Sequence, residues 1–340
     1  MGIDLTGGID PAREYFFAER PDDPEMRDSA SMWVSDDQGE IGLPRFAVEA
    51  VAAKWEHHDY QLNLGLRGGR VIRARDTGDS RLGDPAALAT GPLTFRCAEP
   101  FRTWTAEFDG QADATTIGSL IDGDPSSART DLRFSVTATM AVPPWIQGAL
   151  QPDAAERLSS SVEGDLMGGP RYEQLFRCTG TVTAGGRTRE FSGSGLRIRR
   201  QGVRRLQEFR GHCWQSALFP SGKAFGYIAY PPRPDGEPTF NEGFVYDGDG
   251  DLIPARVASA PWLRTLEPAG EDVSLVLETA RGQVRIGGTT ALPTIDAFHR
   301  PRMPDFPVLF QGGVRYTWDG EETYGMLERS TRREKITWPG

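Results

Sequence analysis

Residues 171–230 read RYEQLFRCTGTVTAGGRTREFSGSGLRIRRQGVRRLQEFRGHCWQSALFPSGKAFGYIAY. Turn chemistry at 183–187 (TAGGR) and 219–223 (FPSGK) lies between apolar and β-branched runs, which is the signal of successive hairpins. Between the two turns Arg197, Arg199, Arg200, Arg204 and Arg205 fall within nine residues, beside Gly195 and Gly202. On a strand, Arg197 and Arg199 share one face while Ile198 and Arg200 share the other. Whichever face is inward therefore carries a guanidinium. A buried guanidinium needs a partner, either a protein carboxylate such as Glu173 or Glu190 or an anionic ligand. A solvated face with an internal ion pair is the alternative.

The same pattern extends outward from this segment. Turns recur at 36–40 (DDQGE), 66–70 (LRGGR), 246–251 (YDGDGD) and 318–322 (WDGEE). Leu132, Phe134, Val136, Ala138 and Met140 alternate with polar residues, as do Trp104, Ala106 and Phe108, and Val273, Leu275 and Leu277. That period of two marks half-buried strands. The best helix covers 153–160, with Asp153 as N-cap and Glu156 at the capping-box position. It sits in a stretch poor in strand signals, so the expected organisation is a β domain over 1–150, a linker with a short helix over 151–170, and a second β domain over 171–340. Phe95-Arg96-Cys97 and Phe176-Arg177-Cys178 form a faint internal echo.

Composition agrees with an all-β reading. Of 340 residues, 40 are Gly and 25 Pro, an excess of turn formers. The net charge of -10 argues against a nucleic-acid partner, which needs a basic face. No leader-like or membrane-spanning apolar run is present, so a cytoplasmic protein without stable membrane insertion is expected. Three widely spaced cysteines (Cys97, Cys178, Cys213) suggest reduced, buried thiols rather than disulfides or a zinc site. No cofactor is expected.

Several chemical motifs fail. Asp247-Gly-Asp249-Gly-Asp251 imitates half a calcium loop, but Leu252 and Ala258 occupy its essential Gly and Glu positions. Gly193-Ser-Gly195 lacks a dinucleotide fingerprint's third glycine, and no nucleophile elbow or phosphate loop occurs. His57-His58 reads as a solvated bend, and Glu49 as a carboxylate needing a partner, with Arg45 the local candidate. No metal site is expected.

Gly211-His212-Cys213-Trp214 is more promising, because His212 and Trp214 share a strand face with Cys213 opposite. An imidazole beside an indole in an apolar cavity can donate or accept a proton near neutral pH, the alternative being a satisfied core histidine. Glu242 in such a pocket would have a raised pKa and could act as an acid, unless it only serves the Asn-Glu-Gly turn. Tyr227, Tyr230, Phe240 and Tyr246 lie on the strands that follow.

The run RYEQ, then CTGTVTAGGRTREFSGSGLRIRRQGVR, then W-x-x-x-x-F-x-x-G resembles the second half of the AttH-like and carotenoid 1,2-hydratase (hydroxyneurosporene synthase) superfamily, and RDSASMWVSDDQGEIGLPR (27–45) extends the likeness. In that family a comparable strand ends in Gly-x-Arg-Asp-His-Ser-Trp-Gly-x-Arg. Here Gly195, Arg197, Gly202 and Arg204 keep the frame, while Ile198, Arg199 and Gln201 occupy the Asp, His and Trp positions. A second register, Arg210-Gly211-His212-Cys213-Trp214, keeps Arg, His and Trp without the acid. The resemblance implies two lipocalin-like barrels or sandwiches around an apolar cavity, and hydratase or cyclase chemistry on isoprenoid-like alkenes.

Two functions follow as expectations. In the first, a lyase, hydratase or isomerase acts on a terpenoid, steroid or related lipid, with His212 as acid or base, Trp214 stabilising positive charge, and Glu242 or Tyr246 assisting. In the second, a non-catalytic carrier grips the polar end of such a ligand through Arg197 or Arg199. Arg204, Tyr227, Tyr230, Phe240 and Trp145 complete the expected ligand contacts. A hydrolase using Cys213 is a distant third.

Overall fold

Alternating apolar residues make nineteen strands among the residues that the computed structural model describes, namely 3–80, 83–124, 126–159, 171–204, 209–296 and 306–337. Most of the expected linker (160–170) and Arg205 lie outside them. The first sheet contains β1 (Met26–Asp36), β2 (Ile41–Val51), β3 (His57–Leu66), β4 (Arg70–Asp79), β5 (Ala87–Thr90), β6 (Leu93–Glu99), β7 (Thr103–Thr116), β8 (Ala128–Met140), β9 (Trp145–Ile146), β10 (Arg171–Ala184) and β11 (Arg187–Val203). Its order is β4-β3-β2-β1-β11-β10-β8-β7-β6-β5, and a β4–β7 pairing joins the path back on itself. The second sheet is a closed barrel of β12 (Gly211–Leu218), β13 (Ala224–Ala229), β14 (Asn241–Tyr246), β15 (Ile253–Ser259), β16 (Leu275–Thr279), β17 (Gly282–Asp296), β18 (Val308–Trp318) and β19 (Glu321–Thr331). The chain is all-β, as expected, and each of the six turns read from the sequence joins two consecutive strands. Gly185 and Gly186 both have positive φ, the conformation that a two-residue hairpin of matching twist requires.

The division between the sheets differs from the expected boundary. Strands β10 and β11 belong to the first sheet, β11 pairing along β1 from Met26↔Val203 to Asp36↔Gly193 and β10 pairing with β8. The reason is long-range pairing: β1 lacks a second neighbour until residues 187–203 arrive to supply it. The second barrel thus begins at Gly211, some forty residues later than expected. A short α1 (Ile117–Ile121) follows β7, and the expected helix is present as α2 (Pro152–Ser159).

Three apolar cores result. One fills the first sheet, around Phe46, Phe95, Trp104 and Phe134; another fills the barrel, around Phe225, Tyr227, Phe310 and Tyr316. The third lies between the two, where Trp33, Leu196 and Ile198 of the first sheet meet Trp214, Ile228 and Phe244 of the barrel wall. Both faces of β11 are therefore buried. Gly195 permits this crowding, since a Cβ there would come within 2.1 Å of the Trp33 carbonyl oxygen and 2.5 Å of the Phe176 ring.

Candidate active-site cleft

A cavity of about 420 Å³ opens in this third layer, outside the barrel and outside the first sheet. That size is within the usual range of small-molecule sites. Its apolar wall includes Trp33, Val48, Ile198, Trp214, Ile228 and Tyr230. Its charged wall includes Arg45, Glu49, Arg171, Arg200, Arg204 and Glu328, with His212 among them.

His212 reaches the cleft because β12 alternates: His212 and Trp214 face outward from the barrel while Cys213 faces in. The Ser330 hydroxyl on the adjacent β19 lies 3.0 Å from the His212 backbone nitrogen and 2.6 Å from Nδ1. The hydroxyl accepts from the backbone N–H and is left to donate to Nδ1, which assigns the ring proton to Nε2. Nε2 then donates to the Glu328 carboxylate at 3.1 Å. Burial alone would raise the Glu328 pKa, but Arg45, 3.6 Å away, together with His212 overcomes it and holds the carboxyl at about 2. Gln311 donates to its other oxygen. The result is a buried relay, Arg45–Glu328–His212–Ser330, with an ionised carboxylate behind the imidazole.

Trp214 is equally fixed. Its indole N–H donates to Glu173 at 3.1 Å, its ring meets Trp33 edge-on at 4.8 Å between centroids, and the Arg171 guanidinium lies over it at 4.8 Å. Arg171 also binds Glu173 at 2.6 Å. The cation that Trp214 stabilises here is Arg171. Burial pushes the Glu173 carboxyl up despite that partner.

The remaining expected residues are placed as follows. Arg204 and Tyr230 line the cleft. Arg197 and Arg199 do not: they point into the first sheet, where Arg197 binds Glu14 at 2.7 Å and Arg199 binds Asp28. Protein carboxylates already satisfy both, so neither is available to grip a ligand. Tyr227 faces the barrel core, donating to Gln215 and lying 3.1 Å from the Cys213 sulfur. Glu242 is fully buried away from the cleft and accepts from the Trp145 indole at 2.8 Å and from the backbone amides of Gly148, Leu150 and Gln151. Burial raises its pKa as expected, but its oxygens are occupied in tying down the segment before α2. Trp145, Phe240 and Tyr246 are packed in the interlayer core and do not line the cavity. Glu49 binds Arg27 at 2.8 Å and lies 3.6 Å from Arg204, while the expected partner Arg45 turns to Glu328. His57 is exposed beside Asp79, as a solvated residue should be, but His58 is buried and bonded to the Trp55 carbonyl oxygen. All three cysteines are buried, and burial pushes the Cys213 thiol up to about 11, which leaves no thiolate for nucleophilic work.

Sequence reasoning missed Glu14, Asp28 and Glu328, and named Arg200 without choosing it as a ligand contact. Arg200 is only 6% exposed and lines the cavity, yet its guanidinium meets no hydrogen-bond or ion-pair partner among the described residues. Burial, with Arg204 and Arg171 adding repulsion, pulls its pKa well below the usual arginine range, against weaker opposition from Glu49 and Tyr230. The signal was present in the alternation of 197–200, which puts Arg200 opposite Arg197 and Arg199.

Solved structures of similar two-sheet all-β architecture exist. A crystal structure from Nitrosomonas europaea assigned as AttH aligns with TM-score 0.59 at 14% identity, covering 89% of this chain and 91% of that one. CghA with Sch210972 aligns with TM-score 0.54 at 12% identity, covering 93% and 90%. Both show the fold, which is all-β and lipocalin-like. By sequence, the chain belongs to the family described as "Domain of unknown function (DUF7064)", whose model matches residues 10–333. A search of curated proteins finds no match. No helix among the described residues is long and apolar enough to cross a membrane.

Proposed function

We propose that this protein is an enzyme of hydratase, lyase or isomerase type that moves a proton on an unsaturated hydrophobic small molecule bound in the interlayer cleft. Terpenoids, steroids and related lipids are the substrate class. The observation that carries the reading is His212 in the cleft wall with an ionised Glu328 behind it. Such a carboxylate orients the ring and balances the charge of an imidazolium formed during turnover. Proton exchange with substrate occurs at Nδ1, where the partner is the neutral Ser330 hydroxyl, the easier of the two contacts to give up. CghA, of similar fold, is crystallised with Sch210972, which supports a ligand in this fold.

One observation favours the second reading, a non-catalytic carrier: both nitrogens of His212 are engaged in the protein itself. The two are separated by extracting the protein from its native host, identifying any released small molecule by mass spectrometry, and assaying that compound with His212→Gln. Turnover falling by roughly 10²- to 10⁴-fold with binding retained supports the enzyme. Turnover by neither protein, with binding retained, leaves the carrier.

A further inference from the structure

We propose that the cleft recognises an anionic group on its ligand, a monoanion of carboxylate type, through the Arg200 guanidinium. The inference rests on the reading of the cleft as a hydrophobic-ligand site and names the polar group which that ligand carries.

The charges in and behind the cleft wall can be counted. Arg45 lies against Glu328, Arg171 against Glu173, and Arg27 and Arg204 share Glu49, while Arg75 binds Asp296. Lys54 neutralises Asp59, and Asp76, which also lines the cleft, offsets the second of the two cations at Glu49. Arg200 is left over among the described residues. Its strand register makes matters worse, because Arg171 is its direct cross-strand partner on β10, and like charges so placed repel. Ser29, its partner on β1, supplies no charge.

Water in a cavity of this size can solvate Arg200 while the cleft is empty of ligand. A ligand that fills the cleft expels that water and must replace its hydrogen bonds. A pure hydrocarbon cannot, and would leave a dry, unpaired guanidinium, which is strongly unfavourable. A carboxylate can, with two parallel N–H···O bonds. The charge count also limits the anion. One surplus cation matches one negative charge, and the ionised Glu49 and Glu328 in the same wall disfavour a dianionic phosphate.

The test is fluorescence titration of the full chain near neutral pH with cis-parinaric acid and with its uncharged methyl ester, for wild type, Arg200→Gln and Arg200→Lys. Wild type should bind the acid about tenfold or more tightly than the ester, as expected for a hydrogen bond to a charged group. Arg200→Gln should bring the two affinities together by weakening the acid alone, and Arg200→Lys should keep part of the preference. Equal binding of acid and ester by wild type overturns the inference while leaving the hydrophobic cleft standing. Preference retained in Arg200→Gln overturns it as well. Binding of neither probe by wild type removes the cleft reading and the inference together. If Arg200→Gln fails to fold, the wild-type ratio of acid to ester decides.

Discussion

On the inner face of β11, Arg197 and Arg199 each lie against a buried carboxylate, and each stacks on an aromatic ring, Trp104 at 4.6 Å and Phe16 at 4.3 Å. On the outer face of the same strand Arg200 is also buried, yet it faces a cavity and two other arginines. Burial is common to both faces; the partner is not. A buried arginine that the fold has neutralised serves the fold, whereas one that the fold has left charged and unpaired marks the place where something else must bind. Burial alone, below a tenth exposed for all three, would not have shown this difference.

The largest effect should come from breaking the inner face. Arg197→Met leaves Glu14 ionised in the first core with only the hydrogen bonds of Trp104, Tyr172 and the Phe101 amide. Orphaning one member of a buried pair costs about 3–5 kcal/mol, or a fall in melting temperature of roughly 10 °C, measurable by calorimetry. A loss under about 1 kcal/mol would erase the distinction between the faces.

A smaller effect is expected from the relay in the cleft. The folded protein holds Glu328 at about 2, against an ordinary value of 4.5. A depressed carboxyl contributes stability that is fully present above about pH 4.5 and is lost as pH falls toward 2. Between these limits each such group adds roughly 1.4 kcal/mol per pH unit to the slope of stability against pH. Glu328→Gln should cost about 2–3 kcal/mol at neutral pH and flatten that slope by one group's share in urea titrations at stepped pH. An unchanged slope would mean that Glu328 is not the carboxylate behind His212. Glu49, also held at about 2 by Arg27 and Arg204 against its burial, and Glu14, lowered by Arg197, keep their share of the acid sensitivity.

What the sequence disclosed follows from the range of each interaction. Hairpins are local, so turns such as Thr183–Arg187 and their strands were legible, as was the opposition of His212 to Cys213 on β12. The pairing of β1 with β11 joins residues more than 150 positions apart and left no local trace, so β10 and β11 were assigned to the wrong half. The partners Glu14 and Arg197, or Glu328 and His212, are likewise remote in sequence. Alternation stated that Arg197 and Arg200 must face opposite ways. It could not state that both directions lead into a core, because that depends on a second barrel packing over the outside of the first sheet. Glu242 shows the converse: its raised pKa was anticipated, and burial is the cause, but its oxygens are taken by the backbone amides of Gly148, Leu150 and Gln151, which oppose the rise, and not by a ligand pocket.

The smallest expected effect, and the one of opposite sign, belongs to Arg200→Met. The substitution removes an unpaired guanidinium that Arg171 and Arg204 repel, and puts an apolar chain of similar length beside Ile198. Replacing an unpaired buried charge by a hydrophobic group stabilises or is neutral, so the ligand-free variant should melt at the wild-type temperature or a few degrees above it, a change of about 1 kcal/mol or less. The same substitution one residue earlier on the strand, Arg199→Met, should destabilise, since it abandons Asp28. If Arg200→Met instead destabilises as Arg197→Met does, Arg200 has a structural partner after all, and the two faces of β11 are alike. If the signs differ, then two adjacent arginines on one strand have been separated by what they face, and the cost of keeping Arg200 charged is explained by its use in binding rather than in folding.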